Sequence, residues 1–142
     1  MQFLICDLRL PPATASLAPM KESELKHRTK NFALRVIKLV AALPRNTEGR
    51  AIGGQLLRSG TSVGANYRAA CRGRSKAEFI AKLGTVEEEA DECAYWMELI
   101  TEGGLLPAKR VVPLHREAEE LTAIMAASRI TSSRFAGIKS QI

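Results

Sequence analysis

The chain has 142 residues, enough for one compact domain and too few for two separate cores. Hydrophobic residues make up 46%, charged residues 25% and aromatics only 5%, which excludes a disordered or fibrous chain and asks Leu, Ile, Val and Ala to build the core. That composition favours helices over a sandwich or barrel, and the net charge of +6, with a pI near 9.5, is compatible with a polyanionic partner.

Residues 1–20 hold Pro11, Pro12 and Pro19 among Ala, Ser and Thr with no helical or strand period. They read as a disordered leader, or as sequence upstream of a true start at Met20. A basic n-region is missing, which argues against a targeting peptide. From Lys21 the spacing of Leu25, Thr29, Phe32, Val36, Leu39 and Leu43, widened by Ala33 and Val40, predicts a first helix ending at Pro44. Thr47 is the expected N-cap of a second helix whose stripe runs Ile52, Leu56, Ser59, Val63, Asn66 and Ala70. Gly53, Gly54, Gly60 and Gly64 within it each cost about 1 kcal/mol of helicity relative to Ala, so a neighbouring backbone is expected close by.

Gly73 stops that helix, and Ser75 with Glu78 forms the start signal of a third, carried by Phe79, Leu83, Val86, Ala90, Cys93, Met97 and Ile100 up to Gly103-Gly104. After Pro107 a fourth stripe runs Val111, Leu114, Ala118, Leu121, Met125 and Ser128. Beyond Arg129 the period is lost, so 21–130 is expected to be the helical domain and 131–142 a flexible C-terminal tail. The expected fold is an all-α, antiparallel up-down-up-down four-helix bundle. Breaks at near-equal intervals suit hairpin corners better than one long coiled coil.

Charge is segregated along the chain. From Arg58 to Lys82 the bases Arg58, Arg68, Arg72, Arg74, Lys76 and Lys82 accompany a single acid, Glu78; from Glu87 to Glu102 there is no base at all. The six bases are the candidate nucleic-acid footprint, helped by Arg28, Lys30, Arg35 and Lys38 on the first helix if those faces align. The competing reading is a solvated face, or one that answers the acidic block of another subunit. Tyr67 is placed to stack a base, whereas Tyr95 and Trp96 sit in the acidic block and suit an oligomer interface, with core-edge packing as the alternative for Trp96. Asn66 falls on the seam with Ser59 and Ser62, where a hydrogen-bond network would fix register or an interface.

Catalysis and metal binding find no support. Glu24-x-x-His27 occurs once, His115 has no matching Glu, and there is no nucleophile elbow or phosphate loop. The three cysteines, Cys6, Cys71 and Cys93, are isolated, so no disulfide framework or zinc site is indicated and a reducing cytoplasm is expected. No apolar run approaches the roughly 20 residues of a membrane span. The reading is of a non-enzyme without cofactor.

The segment Gln55–Leu99 resembles the bacterial family first recognised as open reading frames in intervening sequences of 23S ribosomal RNA. The likeness is carried by Gln55-Leu56-x-Arg58-Ser59, Thr61-Ser62-Val63-x-Ala65-Asn66, Ser75-Lys76-x-x-Phe79, and Glu88-Glu89-x-Asp91-Glu92 with Tyr95-Trp96. It extends over about residues 21–125. The resemblance implies a four-helix bundle assembled as a ring-shaped homopentamer. A related branch, the accessory proteins of diversity-generating retroelements, implies binding to RNA or to a nucleic-acid-processing protein. The expected function is therefore a non-catalytic oligomeric bundle that binds RNA or an RNA–protein complex through its basic face. The alternative is a protein–protein scaffold with no nucleic-acid role.

Overall fold

In the computed structural model, which describes residues 20–139, the chain is all-α: α1 spans Glu22–Ala41, α2 Thr47–Cys71, α3 Lys76–Glu102 and α4 Ala108–Lys139. No strand occurs among the described residues. The expected leader, residues 1–19, lies outside them.

Each corner is built by local chemistry. Glu24 of α1 accepts a hydrogen bond from the Lys21 backbone N–H at 3.1 Å. The N-cap of α2 is Asn46 rather than the expected Thr47, because Asn46 is the last extended residue (φ −123°, ψ −178°) and its Oδ1 accepts from Gly49 N at 2.8 Å. Gly49 is required there, since a Cβ would lie 2.0 Å from the Pro44 carbonyl oxygen. Ser75 caps α3 as expected, accepting from Glu78 N at 3.1 Å, while Glu78 accepts from Arg74 N at 2.9 Å. Gly103 follows α3, and Gly104 turns the chain with φ +71°, in the left-handed region glycine favours.

The inward stripes meet in one core, with Phe32, Leu56, Leu83, Met97, Ile100, Leu121 and Met125 among its fully buried side chains. Each such residue contributes about 1.5–3 kcal/mol through removal from water. As α1 runs from Thr29 through Val36 to Leu43, its neighbours on α2 run from Gly64 through Gly60 back to Gly53. Between α3 and α4, His115 meets Glu98 while Arg129 meets Glu87. Packing is extensive for α1 with α2, α2 with α3 and α3 with α4, and sparse between α1 and α4.

Two expectations change. The helical seam of α2 passes through Gly60, Val63, Gly64 and Tyr67, so Tyr67 is buried and Asn66 is only half-buried at the edge. Four-residue steps from Ser59 keep Tyr67 inside, while Asn66 falls to the flank. The second change is α4, which does not stop at Arg129 but continues as a helix to Lys139, into the segment 131–142 expected as a tail. Arg129 Nε donates to Glu87 Oε2 at 2.8 Å, and Phe135 lies under the Lys76 ammonium at 5.7 Å, so the long α3 keeps a partner as far as its first turn.

Candidate nucleic-acid interface

The glycines of α2 set the distance to α1. An added Cβ would stand 2.7 Å from Val36 Cγ1 at Gly60, 3.0 Å from Leu43 Cδ1 at Gly53, and 3.4 Å from the Thr29 carbonyl carbon at Gly64. The backbone approach expected from the sequence is seen at Gly64, whereas Gly60 and Gly53 make room for the Val36, Leu43 and Val40 side chains. A Cβ added at Gly54 would meet nothing within 4 Å among the described residues, so Gly54 plays no part in it. Thr29 is fully buried but satisfied, its hydroxyl donating to the Leu25 carbonyl at 2.8 Å.

Where the helices come this close, Ala33, Thr61, Gly64 and Ala65 leave a shallow floor. Lys26, His27 and Lys30 rise from α1 on one side, and Arg68 and Arg72 from α2 on the other, bounding an open groove of about 610 Å³. Lys26 is engaged with Glu22 at 2.7 Å, and that ion pair, with Lys26 as its first cause, holds the Glu22 carboxyl below the usual carboxylate range. Lys30, Arg68 and Arg72 have no carboxylate within ion-pair distance among the described residues. Three cations thus face one groove without a counter-charge, an arrangement that an anionic ligand relieves.

The remaining sequence-predicted bases do not join them. Arg58 points toward α3, where Nη1 lies 3.4 Å from Glu89 Oε1 and Nη2 is paired with Glu92 Oε1. Hydrogen bonding to Glu92, the leading cause, raises the Arg58 pKa further and leaves its guanidinium engaged. Arg74 sits in the link between α2 and α3, Lys76 covers Phe135, and Lys82 is half-buried on α3. Of the helpers expected on the first helix, Lys30 joins the groove. Arg28 bridges to α4, donating to Glu117 at 2.7 and 2.8 Å and to Glu120. Arg35 and Lys38 line a different hollow, of about 560 Å³, at the α1–α4 seam. Lys26 and His27 belong to the groove but escape a count of basic blocks, because only the register of α1 on α2 brings them opposite Arg68 and Arg72.

The expected interface residues also separate. Ser59 is buried and links helices, its Oγ accepting from Cys93 Sγ at 3.3 Å. Burial, the leading cause, pushes the Cys93 thiol up to about 12. Among the described residues Ser62 and Asn66 bond only within α2, Ser62 to the Arg58 carbonyl at 2.7 Å and Asn66 Nδ2 to the Ser62 carbonyl at 2.9 Å. Trp96 packs against the core edge, and its Nε1 donates to Glu92 Oε1 at 3.0 Å, the main reason the Glu92 carboxyl is held below the usual range. Tyr95 is 53% exposed, and Tyr67, buried at 5%, is unavailable for stacking on a base. Among the described residues no group of three or more His, Cys, Asp or Glu is placed to hold a metal ion. No helix there is long and apolar enough to cross a membrane.

Comparison with known proteins accounts for most of this chain. A protein of unknown function from the S23 ribosomal protein family of Bacteroides thetaiotaomicron is 31% identical, with a TM-score of 0.72, over 78% of this chain and 98% of its own. The curated proteins include no match. The family model for the 23S rRNA-intervening sequence protein matches residues 21–127, which takes in all of α1, α2 and α3 and most of α4. The chain belongs to the 23S rRNA-intervening sequence protein family.

Proposed function

We propose that this protein is a non-catalytic, oligomeric four-helix bundle that binds RNA, or an RNA–protein complex, through the α1–α2 groove. The observation that carries the reading is the convergence of Lys30, Arg68 and Arg72 on a floor of small residues with no acidic partner among the described residues. Cations that face one groove from two adjacent helices can contact the phosphates of a nucleic-acid strand, and contacts of that kind position a backbone without reading its sequence. The same reading takes the helices as running up-down-up-down and the chain as assembling into the ring-shaped homopentamer that the family resemblance implies.

The test is charge reversal. Lys30→Glu, Arg68→Glu and Arg72→Glu combined should weaken binding of a fluorescein-labelled RNA hairpin, and of a single-stranded RNA of equal length, by more than tenfold. Lys109→Glu, on the exposed start of α4, should change it far less. Equal losses in the two variants would leave only a diffuse attraction of the +6 chain, and an unaffected triple variant would remove the groove from the account.

The scaffold reading has an observation of its own, the exposure of Leu34, Ile37 and Tyr95. Its expected pairing of basic and acidic blocks between subunits loses several members, because Arg58 is engaged by Glu89 and Glu92, and Arg129 by Glu87, within one chain.

A further inference from the structure

The outward faces of α1 and α3 are opposite in charge and alike in holding large side chains that the fold leaves uncovered. On α1, Leu34 and Ile37 are 49% and 46% exposed and stand beside Arg35 and Lys38. Neither base has a carboxylate within ion-pair distance among the described residues. On α3, Tyr95 stacks edge-to-face on Trp96 at 5.1 Å and follows Glu88 and Asp91 on the same exposed stripe. Neither acid has a cation within that distance among the described residues. The α1 face spans about one helical turn and the α3 face about two, so the two are complementary in sign and the shorter fits within the longer.

Single exposed apolar residues need no explanation, but an apolar pair edged by unpaired bases, and an aromatic edged by unpaired acids, on one molecule do. We infer that these faces are the two halves of one self-contact, in which the Leu34–Lys38 face of α1 docks on the Glu88–Tyr95 face of α3 in a second copy. Tyr95 covers Leu34 and Ile37, and Arg35 and Lys38 answer Glu88 and Asp91 around them, an apolar centre with a charged rim. Because the halves differ, the contact is heterologous: every copy offers one of each, and repetition closes a ring or extends a filament. The contact also screens acids that would repel a phosphate backbone, and it uses none of the cations assigned to the groove. It rests on the oligomeric part of the reading above and is independent of the RNA part.

The experiment is light scattering on size-exclusion chromatography with the full chain. Wild type should elute at a multiple of 15.5 kDa. Arg35→Glu with Lys38→Glu, and separately Glu88→Lys with Asp91→Lys, should each weaken association about tenfold or more, and the four substitutions together should restore it. Ile37→Ser and Tyr95→Ser, which leave charge unchanged, should weaken it as well and stand in for any charge variant whose helical circular dichroism is lost. Wild type at 15.5 kDa at every concentration would overturn both this contact and the oligomeric reading. An oligomeric wild type whose single-face variants keep the same mass, or a quadruple variant that stays apart, would overturn this contact alone.

Discussion

At Gly60 an added methyl group would meet Val36 Cγ1 at 2.7 Å and Cγ2 at 2.8 Å, whereas at Gly54, six residues earlier on the same helix, it would meet nothing within 4 Å. Gly60→Ala should therefore destabilise by about 1–3 kcal/mol through overpacking, and Gly54→Ala should stabilise by about 0.5–1 kcal/mol through helix propensity, as read from urea denaturation midpoints. The sequence shows all the α2 glycines alike, and only the neighbour across the seam tells them apart. Cys93 gives a second residue-level test. Its thiol, pushed up to about 12 by burial, keeps its proton where the unfolded chain would release it above about pH 8.5. The unfolded state then binds fewer protons, so stability falls as pH rises, by about 1.4 kcal/mol per pH unit for this one group, and is fully present below the ordinary thiol value. Denaturation curves across that alkaline range should show a steeper loss for wild type than for Cys93→Ala. Equal slopes would mean that the thiol ionises freely in the fold.

Among the helices, the first three are legible because their inward stripes alternate at three and four residues and end at residues with a reason to stop them. Pro44 and Gly73 mark the corners after α1 and α2, and Gly103-Gly104 ends α3. The last stretch of α4 is not legible in this way. Residues 131–139 lack a period, and their helix is held sideways by Glu87 on Arg129 and by Lys76 over Phe135, contacts between positions more than forty residues apart. Phe135→Ala should raise amide hydrogen exchange across that stretch while leaving α1 and α2 unchanged, a local loss of about 0.5–1 kcal/mol. The α1–α4 seam is the complementary case. Its packing is sparse, and Arg28 spans it with hydrogen bonds to Glu117 and Glu120. Arg28→Met should cost about 1.5–3 kcal/mol by thermal or chemical denaturation, because it leaves the Glu117 carboxylate half-buried without its partner. A loss no larger than that of an exposed ion pair would show that α4 is held by α3 alone.

For the whole molecule, composition and spacing lead to an all-α four-helix fold, but the site is only half visible in them. Arg68 and Arg72 stand out in a basic block, yet their companions across the groove, Lys26, His27 and Lys30, come from a different helix and are selected by the register that Gly60 and Gly64 impose. The same block misleads at Arg58, which looks like its neighbours in sequence and is drawn to Glu89 and Glu92 in space. Linear charge patterning marks a basic surface without saying which charges are already answered. The most direct test of the central claim is fluorescence anisotropy of the full chain against a structured RNA over a salt series, with the Lys30, Arg68 and Arg72 charge-reversal variant in parallel. The account predicts a logarithm of affinity that falls linearly with the logarithm of salt, and a slope about two to three smaller in the variant, one lost phosphate contact per cation. Absence of binding at low salt, or equal slopes for the two proteins, would contradict it and leave the groove without a nucleic-acid role.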